Sequence, residues 1–355
     1  MNKIEKLQNF LRPLEAVLIF SDPVRYYFTD YLADSGVLVV TKNRAVFYTD
    51  FRYIEEAKAK IKDCEALKSN NFYSQINEFL KGHNISKAYT EPGRITISQF
   101  SALRKALDKK IVLSKDKRVE VFINSLRAVK SEEEQRNIIC AQLLTDKTFD
   151  YIIDKIVPGK TEKEIMLDME FYIRKLGSEG VSFDFIVVSG KNTSLPHGKP
   201  TDKKIEKGDF VTMDFGAVVN GLHSDMTRTV AVGYASEEMK TVYETVLKAQ
   251  TAALDILKPG LKCNAADKAA RDIIEKAGYA GCFGHALGHS LGYEIHESPT
   301  LSPKCTDILK PGNAVTVEPG IYIENKFGVR IEDTVFITEN GITDITKSPK
   351  ELIIL

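Results

Sequence analysis

Residues 208–229, GDFVTMDFGAVVNGLHSDMTRT, are the stretch of this chain that decides its fold. The asparagine and glycine at 220 and 221 are typical of a two-residue type I′ turn, because both central positions of that turn need a positive φ. The turn predicts a β-hairpin in which Asp214 faces Thr227. Because side chains alternate along a strand, Asp214 and Asp225 then share one face, about 7–8 Å apart at Cα.

The same pattern returns in the second half of the chain. Residues 312–320, GNAVTVEPG, match residues 208–216, GDFVTMDFG, with a carboxylate six positions after the first glycine in both. The offset is 104 residues between Asp214 and Glu318 and 107 residues between Asp225 and Glu332. We infer an internal duplication, in which two related halves pack as layers around a shared sheet.

A pair of predicted helices precedes each hairpin. The first pair covers about 132–156 and 162–177, and its capping boxes begin at Ser131 and Thr161. The second pair covers about 237–257 and 265–278, with Asn264 as the N-cap of its last helix. The predicted unit is therefore a helix-helix-hairpin that occurs twice.

A smaller α/β unit precedes the duplicated one. Residues 16–20, 36–41 and 44–48 are β-rich, and residues 53–61 have helical composition. The predicted fold is α/β, of α+β type, with domains at 1–123 and 124–355. A length of 355 residues is enough for two domains that each bury a core.

Charge and composition exclude several kinds of partner. Forty-nine basic and 49 acidic residues give a formal charge of +0, which argues against nucleic acid or an acidic membrane surface. No apolar run approaches the ~20 residues that a membrane span needs, and the N-terminus lacks the apolar core of a signal peptide. Five widely spaced cysteines without a Cys-x-x-Cys pair indicate reduced thiols and a cytoplasmic protein.

The four matched carboxylates predict a metal site. Asp214, Asp225, Glu318 and Glu332 would repel one another strongly at one spot unless protons or cations neutralised them. Two divalent cations would balance four negative charges. An oxygen-rich set with one imidazole favours Mn²⁺, with Co²⁺, Fe²⁺ and Zn²⁺ as open alternatives.

Histidines cluster between the two hairpins. His285, His289 and His296 are three of the six histidines of the chain and lie within twelve positions. The His-x-x-x-His spacing resembles a helical zinc site, but glycines at 284, 288 and 292 disfavour a helix there. We expect a glycine-lined strand and loop beside the carboxylates. His223 is left out of the site, because the end of a hairpin is usually solvated.

These motifs resemble the pita-bread metallopeptidases, which include methionine aminopeptidases, Xaa-Pro aminopeptidases and Xaa-Pro dipeptidases (prolidases). The resemblance is carried by residues 213–229, 284–299, 317–322 and 328–334. The first domain is similar to the creatinase-like N-terminal domain of that family, notably in residues 47–53, FYTDFRY. Methionine aminopeptidases generally lack that domain, so the proline-specific branch is preferred.

The resemblance implies roles for individual residues. Asp214, Asp225, His289, Glu318 and Glu332 are implied as metal ligands, with Asp225 and Glu332 bridging two ions. The implied catalytic set comprises Glu318, His296, His197, His285 and Arg330. Of these, His197 and His296 match histidines that hydrogen-bond the substrate, and His285 and Arg330 match positions typical of the proline-specific branch.

The expected reaction is hydrolysis of the bond between an N-terminal residue and proline. Two metals would lower the pKa of a bridging water toward ~7 and polarise the carbonyl, Glu318 would carry a proton to the proline nitrogen, and His296 and His197 would stabilise the oxyanion. The preferred prediction is an Xaa-Pro aminopeptidase that acts on peptides with proline in the second position. A prolidase is the alternative, and a metal-free binding module or creatinase-like hydrolase is a distant one. The family likeness also implies a homodimer.

Overall fold

The computed structural model describes residues 1–355 and divides into two compact units, Met1–Arg127 and Ala128–Leu355. Position 123, where the sequence places the domain boundary, lies inside the helix Arg118–Ala128. The division falls at the end of that helix, just before Ser131 caps the next one.

The first unit is a six-stranded sheet with helices. Its strands β1 to β6 are Glu15–Ile19, Val37–Thr41, Ala45–Thr49, Glu65–Lys68, Lys87–Tyr89 and Val112–Ser114, and its helices α1 to α6 are Lys3–Phe10, Asp22–Thr29, Ile54–Lys60, Phe72–Gly82, Ile97–Ala106 and Arg118–Ala128. The strand order is β4-β3-β2-β1-β5-β6. The pairs β1/β2 and β2/β3 are antiparallel and the other pairs are parallel. All residues of β1, β2 and β3 are buried, which agrees with the apolar runs in the sequence.

The second unit has four α-helices, α7 to α10, at Glu132–Ile153, Glu162–Lys175, Glu237–Ile256 and Cys263–Ile274. The capping boxes at Ser131 and Thr161 are both present. The predicted cap at Asn264 is wrong, because α10 begins two residues earlier than predicted, after Lys262, and has no side-chain cap. Backbone carbonyls replace the cap: the amides of Cys263 and Asn264 donate to Asp307 O at 2.9 Å and Cys305 O at 3.0 Å.

The strands of the second unit form two larger sheets and two short ribbons. Strands β7 to β11 are Ile186–Ser189, Phe210–Phe215, Val218–Val219, Leu222–His223 and Met226–Ala231. Strands β12 to β18 are Gly288–Ser290, Glu297–Leu301, Ala314–Val317, Gly320–Ile323, Phe327–Arg330, Asp333–Ile337 and Ile342–Asp344. The sheets have the orders β11-β8-β7 and β13-β12-β14-β17-β18, and the ribbons are β9/β10 and β15/β16.

The duplication is visible in these strands. The series β8-β9-β10-β11 in the first half corresponds to β14-β15-β16-β17 in the second. The predicted hairpin register is confirmed, because Thr227 pairs with Asp214 and both Asn220 and Gly221 have positive φ, 49° and 68°. The four carboxylates, Asp214, Asp225, Glu318 and Glu332, lie at or next to the ends of the long strands, where the short ribbons begin.

The expected single shared sheet is not formed. The two halves place their long hairpins in separate sheets, and an apolar core lies between each sheet and its pair of helices. Individual hydrogen bonds join them, such as Glu332 N to Thr227 O at 3.1 Å. No helix in the structure combines the length and the apolar character that crossing a bilayer requires.

Candidate metal centre

A cavity of about 1260 Å³ lies in the second unit. Its walls come from α8, the segments 181–186 and 196–200, and the strand ends of both halves. All nine residues that the sequence singles out line this cavity: Asp214, Asp225, His289, Glu318, Glu332, His197, His285, His296 and Arg330. The fold therefore brings together residues that are up to 135 positions apart in the sequence.

Carboxylates and one imidazole meet at the inner end of the cavity. Single ligand atoms of Asp225, His289 and Glu332 lie within 4.8 Å of one another. His289 Nε2 is 3.5 Å from Asp225 Oδ2 and 3.4 Å from Glu318 Oε1. Such a set of oxygen and nitrogen donors around a small space could hold a divalent cation.

Three oxygen atoms of this cluster lack a hydrogen-bond partner within the protein. Asp214 Oδ1, Asp225 Oδ1 and Glu332 Oε1 are buried and accept no hydrogen bond, which is costly for a charged acceptor. Burial and then the charge of Glu332 raise the pKa of Asp225 well above its usual range, and burial and then Glu318 do the same for the pKa of Glu332. A divalent cation would satisfy the orphaned oxygens and remove the repulsion, so the residues fit a metal site.

His289 directs its Nε2 atom toward the carboxylates, in the tautomer that leaves this nitrogen unprotonated. Its Nδ1 lies 3.1 Å from the carbonyl oxygen of Ser290, and a carbonyl can only accept, so Nδ1 carries the hydrogen. Burial, followed by the neighbouring His296, lowers the pKa of His289 to about 4, which leaves the Nε2 lone pair free at neutral pH. A backbone acceptor that fixes the tautomer in this way is typical of metal-binding histidines.

The strand that carries His289 can approach β14 this closely only because Gly288 has no side chain. A Cβ at Gly288 would lie 2.0 Å from Thr316 O. His289 N donates to Thr316 Oγ1 at 3.1 Å, and Thr316 Oγ1 donates in turn to Glu318 Oε1 at 3.3 Å. The expected strand and loop at 284–297 are confirmed, with β12 in place of a helix.

Arg330 joins the two halves beside the cluster. Its Nη2 donates to Asp214 Oδ2 at 2.6 Å, which pairs a residue of the second half with a predicted ligand of the first half. Nη1 donates to Tyr322 Oη at 2.8 Å and to Pro196 O at 3.1 Å, and Nε donates to Thr227 Oγ1 at 3.0 Å. The guanidinium is buried, and each of its three nitrogens donates at least one hydrogen bond.

Thr227 is a site residue that the sequence analysis did not select. Besides accepting from Arg330, its hydroxyl donates to Glu332 Oε2 at 2.7 Å, so it orients one predicted ligand and the arginine that holds another. The signal was available, since the Asn220-Gly221 turn already places Thr227 opposite Asp214 in the hairpin.

His285 is held on both sides of its ring. Nδ1 lies 2.8 Å from Ala286 O and therefore carries the hydrogen, so Nε2 accepts from Tyr322 Oη at 2.9 Å. Burial and the charge of Arg330 lower the pKa of His285 to about 4, and burial raises the pKa of Tyr322 to about 12. The ring is thus a neutral acceptor at the end of a fixed chain from Arg330 through Tyr322.

The remaining histidines differ in exposure. His197 and His296 are exposed to the cavity, and the ring centroid of His296 lies 4.4 Å from that of His289. His223, expected to be solvated, is instead half-buried, with Nδ1 2.9 Å from Ser182 Oγ. A loop remote in sequence covers it, which the hairpin pattern could not reveal.

Comparison with known proteins agrees with this geometry. Residues 136–339 match the model of Metallopeptidase family M24, and residues 3–129 match that of the Creatinase/Prolidase N-terminal domain. The chain is a member of metallopeptidase family M24. It is a peptidase of the pita-bread fold with a creatinase-like N-terminal domain, as the sequence predicts.

Several relatives in the M24 family match along their whole length. An Xaa-Pro dipeptidase from Pyrococcus furiosus is 37% identical, with 99% of each chain covered. The solved structure of an Xaa-Pro dipeptidase from Bacillus anthracis is 40% identical, with 99% of each chain covered and a TM-score of 0.95. An X-Pro aminopeptidase from Thermotoga maritima is 34% identical, covering 99% of this chain and 100% of its own, with a TM-score of 0.90. Family M24 membership implies divalent metal ions.

Proposed function

We propose that the chain is a metal-dependent Xaa-Pro dipeptidase, which hydrolyses the bond between an N-terminal residue and a C-terminal proline. The observation that carries the proposal is the cluster of buried carboxylates with three orphaned oxygens beside a neutral imidazole. The relatives from P. furiosus and B. anthracis support dipeptides as substrates. We therefore prefer the dipeptidase over the aminopeptidase that the sequence alone favours.

Asp214, Asp225, His289, Glu318 and Glu332 would hold two divalent cations, with Mn²⁺ as the preferred ion. Bound there, the ions would supply Lewis acidity toward the scissile carbonyl and activate a water molecule at neutral pH. The cluster carries enough negative charge to match two divalent cations, and its free oxygens face the cavity that would hold the peptide.

Glu318 is the proton carrier in this proposal. All three of Asp225, Glu318 and Glu332 line the cavity, but Glu318 is only partly buried whereas the other two are buried. Burial and the charge of Asp214 raise the pKa of Glu318 to about 8, against the opposing effect of Arg330. A carboxylate that lies beside the activated water can take a proton from it and release that proton to the proline nitrogen as the peptide bond breaks.

The histidines and Arg330 have separate tasks. His296 and His197 are exposed to the cavity and would donate hydrogen bonds to the oxyanion that forms at the attacked carbonyl. Arg330 and His285 already form hydrogen bonds inside the protein, so they would position the site around the substrate. A homodimer and a cytoplasmic location stay predictions.

Initial rates on three peptides test the proposal. Leu-Pro, Leu-Pro-Ala and Met-Ala are given to chelated protein with and without added Mn²⁺ or Co²⁺, with Glu318→Gln as the control variant. We expect metal-dependent cleavage of Leu-Pro, little cleavage of Leu-Pro-Ala, and none by Glu318→Gln. Rapid cleavage of Leu-Pro-Ala before proline would favour the aminopeptidase, and no turnover with metal bound would contradict a peptidase.

A further inference from the structure

The cavity has one positively charged side chain without a partner. Four cations line it, and three are engaged: Lys163 pairs with Asp202 at 3.0 Å, Arg174 with Glu170 at 3.2 Å, and Arg330 with Asp214 at 2.6 Å. The fourth, Lys199, is exposed and forms no ion pair or hydrogen bond.

The backbone that carries Lys199 is fixed at both ends. Before it, Pro196 O accepts from Arg330 Nη1 at 3.1 Å, and Gly198 N donates to Leu195 O at 3.0 Å in a turn. After it, Thr201 N donates to Glu162 Oε2 at 2.9 Å, and Glu162 is fully buried. The ammonium group is therefore free to reach a ligand while its attachment point is held in the wall of the cavity.

Pro196 O, held by Arg330, ties this segment to the inner end of the cavity. Lys199 lies three positions later in the chain, a path of at most about 11 Å even when extended, and the turn shortens that path. An Xaa-Pro dipeptide carries an amine at one end and a carboxylate at the other, about two residues apart. With its scissile bond at the carboxylate cluster, its own carboxylate comes within reach of the Lys199 side chain.

We propose that Lys199 binds the C-terminal carboxylate of the substrate and thereby selects dipeptides over longer peptides. This inference rests on the proposed dipeptidase function. In a dipeptide the carboxylate belongs to the proline itself, whereas in a tripeptide an amide takes that place and the charge moves on by one residue. An ammonium group recognises the first arrangement by a charge-assisted hydrogen bond and gains little from a neutral amide.

The test compares Leu-Pro with Leu-Pro amide, which differ only in the terminal charge. Metal-loaded wild type, Lys199→Met, Lys199→Arg and Lys163→Met are assayed for kcat and KM on both. For Leu-Pro, Lys199→Met is expected to raise KM about 10- to 100-fold, as loss of a hydrogen bond to a charged group predicts. Its kcat should stay within about threefold of wild type, because ground-state binding alone is lost.

The controls separate the outcomes. KM for the amide should not change in Lys199→Met, Lys199→Arg should retain most of the preference for the acid, and Lys163→Met should behave as wild type. An equal rise in KM for Leu-Pro and Leu-Pro amide in Lys199→Met would overturn the role of Lys199. The same rise for Leu-Pro alone in Lys163→Met would overturn it too. Failure of the wild type to cleave Leu-Pro would instead contradict the dipeptidase itself.

Discussion

Arg330 of the second half donates to Asp214 of the first half, with 2.6 Å between Nη2 and Oδ2. Both side chains are largely shielded from solvent, with exposed fractions of 4% and 13%. The same guanidinium reaches Tyr322, Thr227 and Pro196 O. Arg330 thus contacts a ligand of the proposed metal cluster, the tyrosine that donates to His285, and the segment that carries Lys199.

Removal of Arg330 should destabilise the metal-free protein. Arg330→Met leaves Asp214 as an uncompensated buried charge, which typically lowers the free energy of unfolding by about 3–5 kcal/mol. Urea denaturation of chelated protein measures this. Asp214→Asn in the Arg330→Met background should recover part of the loss because the unpaired charge is gone, and strictly additive effects of the two substitutions would contradict the pairing.

The stability of the chelated protein should fall as pH rises from 6.5 to 8. The pKa of Glu318 is raised to about 8, and those of Asp225 and Glu332 are raised as well, so the folded chain holds protons that the unfolded chain has released. The slope is about 1.4 kcal/mol per pH unit for each such proton. Below pH 6.5 the buried His285 and His289 act in the opposite direction, since their pKa is lowered to about 4.

Melting temperatures across this window, with and without Mn²⁺, measure the effect. Glu318→Gln should flatten the slope of the chelated protein, since it removes one titrating group, and bound metal should flatten it by displacing the protons. A chelated wild type whose melting temperature rises between pH 6.5 and 8 would contradict the raised pKa values.

Loss of the Thr227 hydroxyl should weaken metal binding. Thr227→Val removes the donor to Glu332 Oε2 and the acceptor for Arg330 Nε at nearly constant volume. Partners of this kind typically contribute about 10- to 100-fold in metal affinity, which calorimetric titration of the apoprotein with Mn²⁺ measures. Thr227→Ser keeps the hydroxyl and should bind like wild type; equal affinity in Thr227→Val would show that Glu332 needs no such support.

A methyl group at Gly288 should displace the strand of His289. Gly288→Ala places a Cβ 2.0 Å from Thr316 O, which is backbone and cannot move aside. We expect at least about 1–3 kcal/mol of lost stability and weaker Mn²⁺ binding. Gly284→Ala is the matched control, since nothing lies within 4 Å of its added Cβ. Similar behaviour of the two variants in denaturation and metal titration would refute the close approach.

The local parts of this site could be predicted from sequence. The positive φ values that Asn220 and Gly221 require fix a turn, and the turn fixes the register that places Thr227 opposite Asp214. The duplication then locates Glu318 and Glu332 by equivalence. The inference of the register succeeds because it depends on neighbours in the chain.

Contacts between distant segments could not be predicted in the same way. The pairing of Arg330 with Asp214 and the covering of His223 by Ser182 depend on how separate elements pack. The start of α10 was missed because backbone carbonyls of residues 305 and 307, and no side chain, satisfy its first amides. A capping pattern in the sequence carries no information about such partners.

The central claim is that the carboxylate cluster holds the divalent ions on which Leu-Pro hydrolysis depends. Its most direct test is a titration of chelated protein with Mn²⁺, in which bound metal per chain and the rate of Leu-Pro hydrolysis are measured on the same samples. The account predicts that hydrolysis is absent without metal, rises with occupancy and saturates at two ions per chain. Full hydrolysis by protein that binds no metal would contradict it.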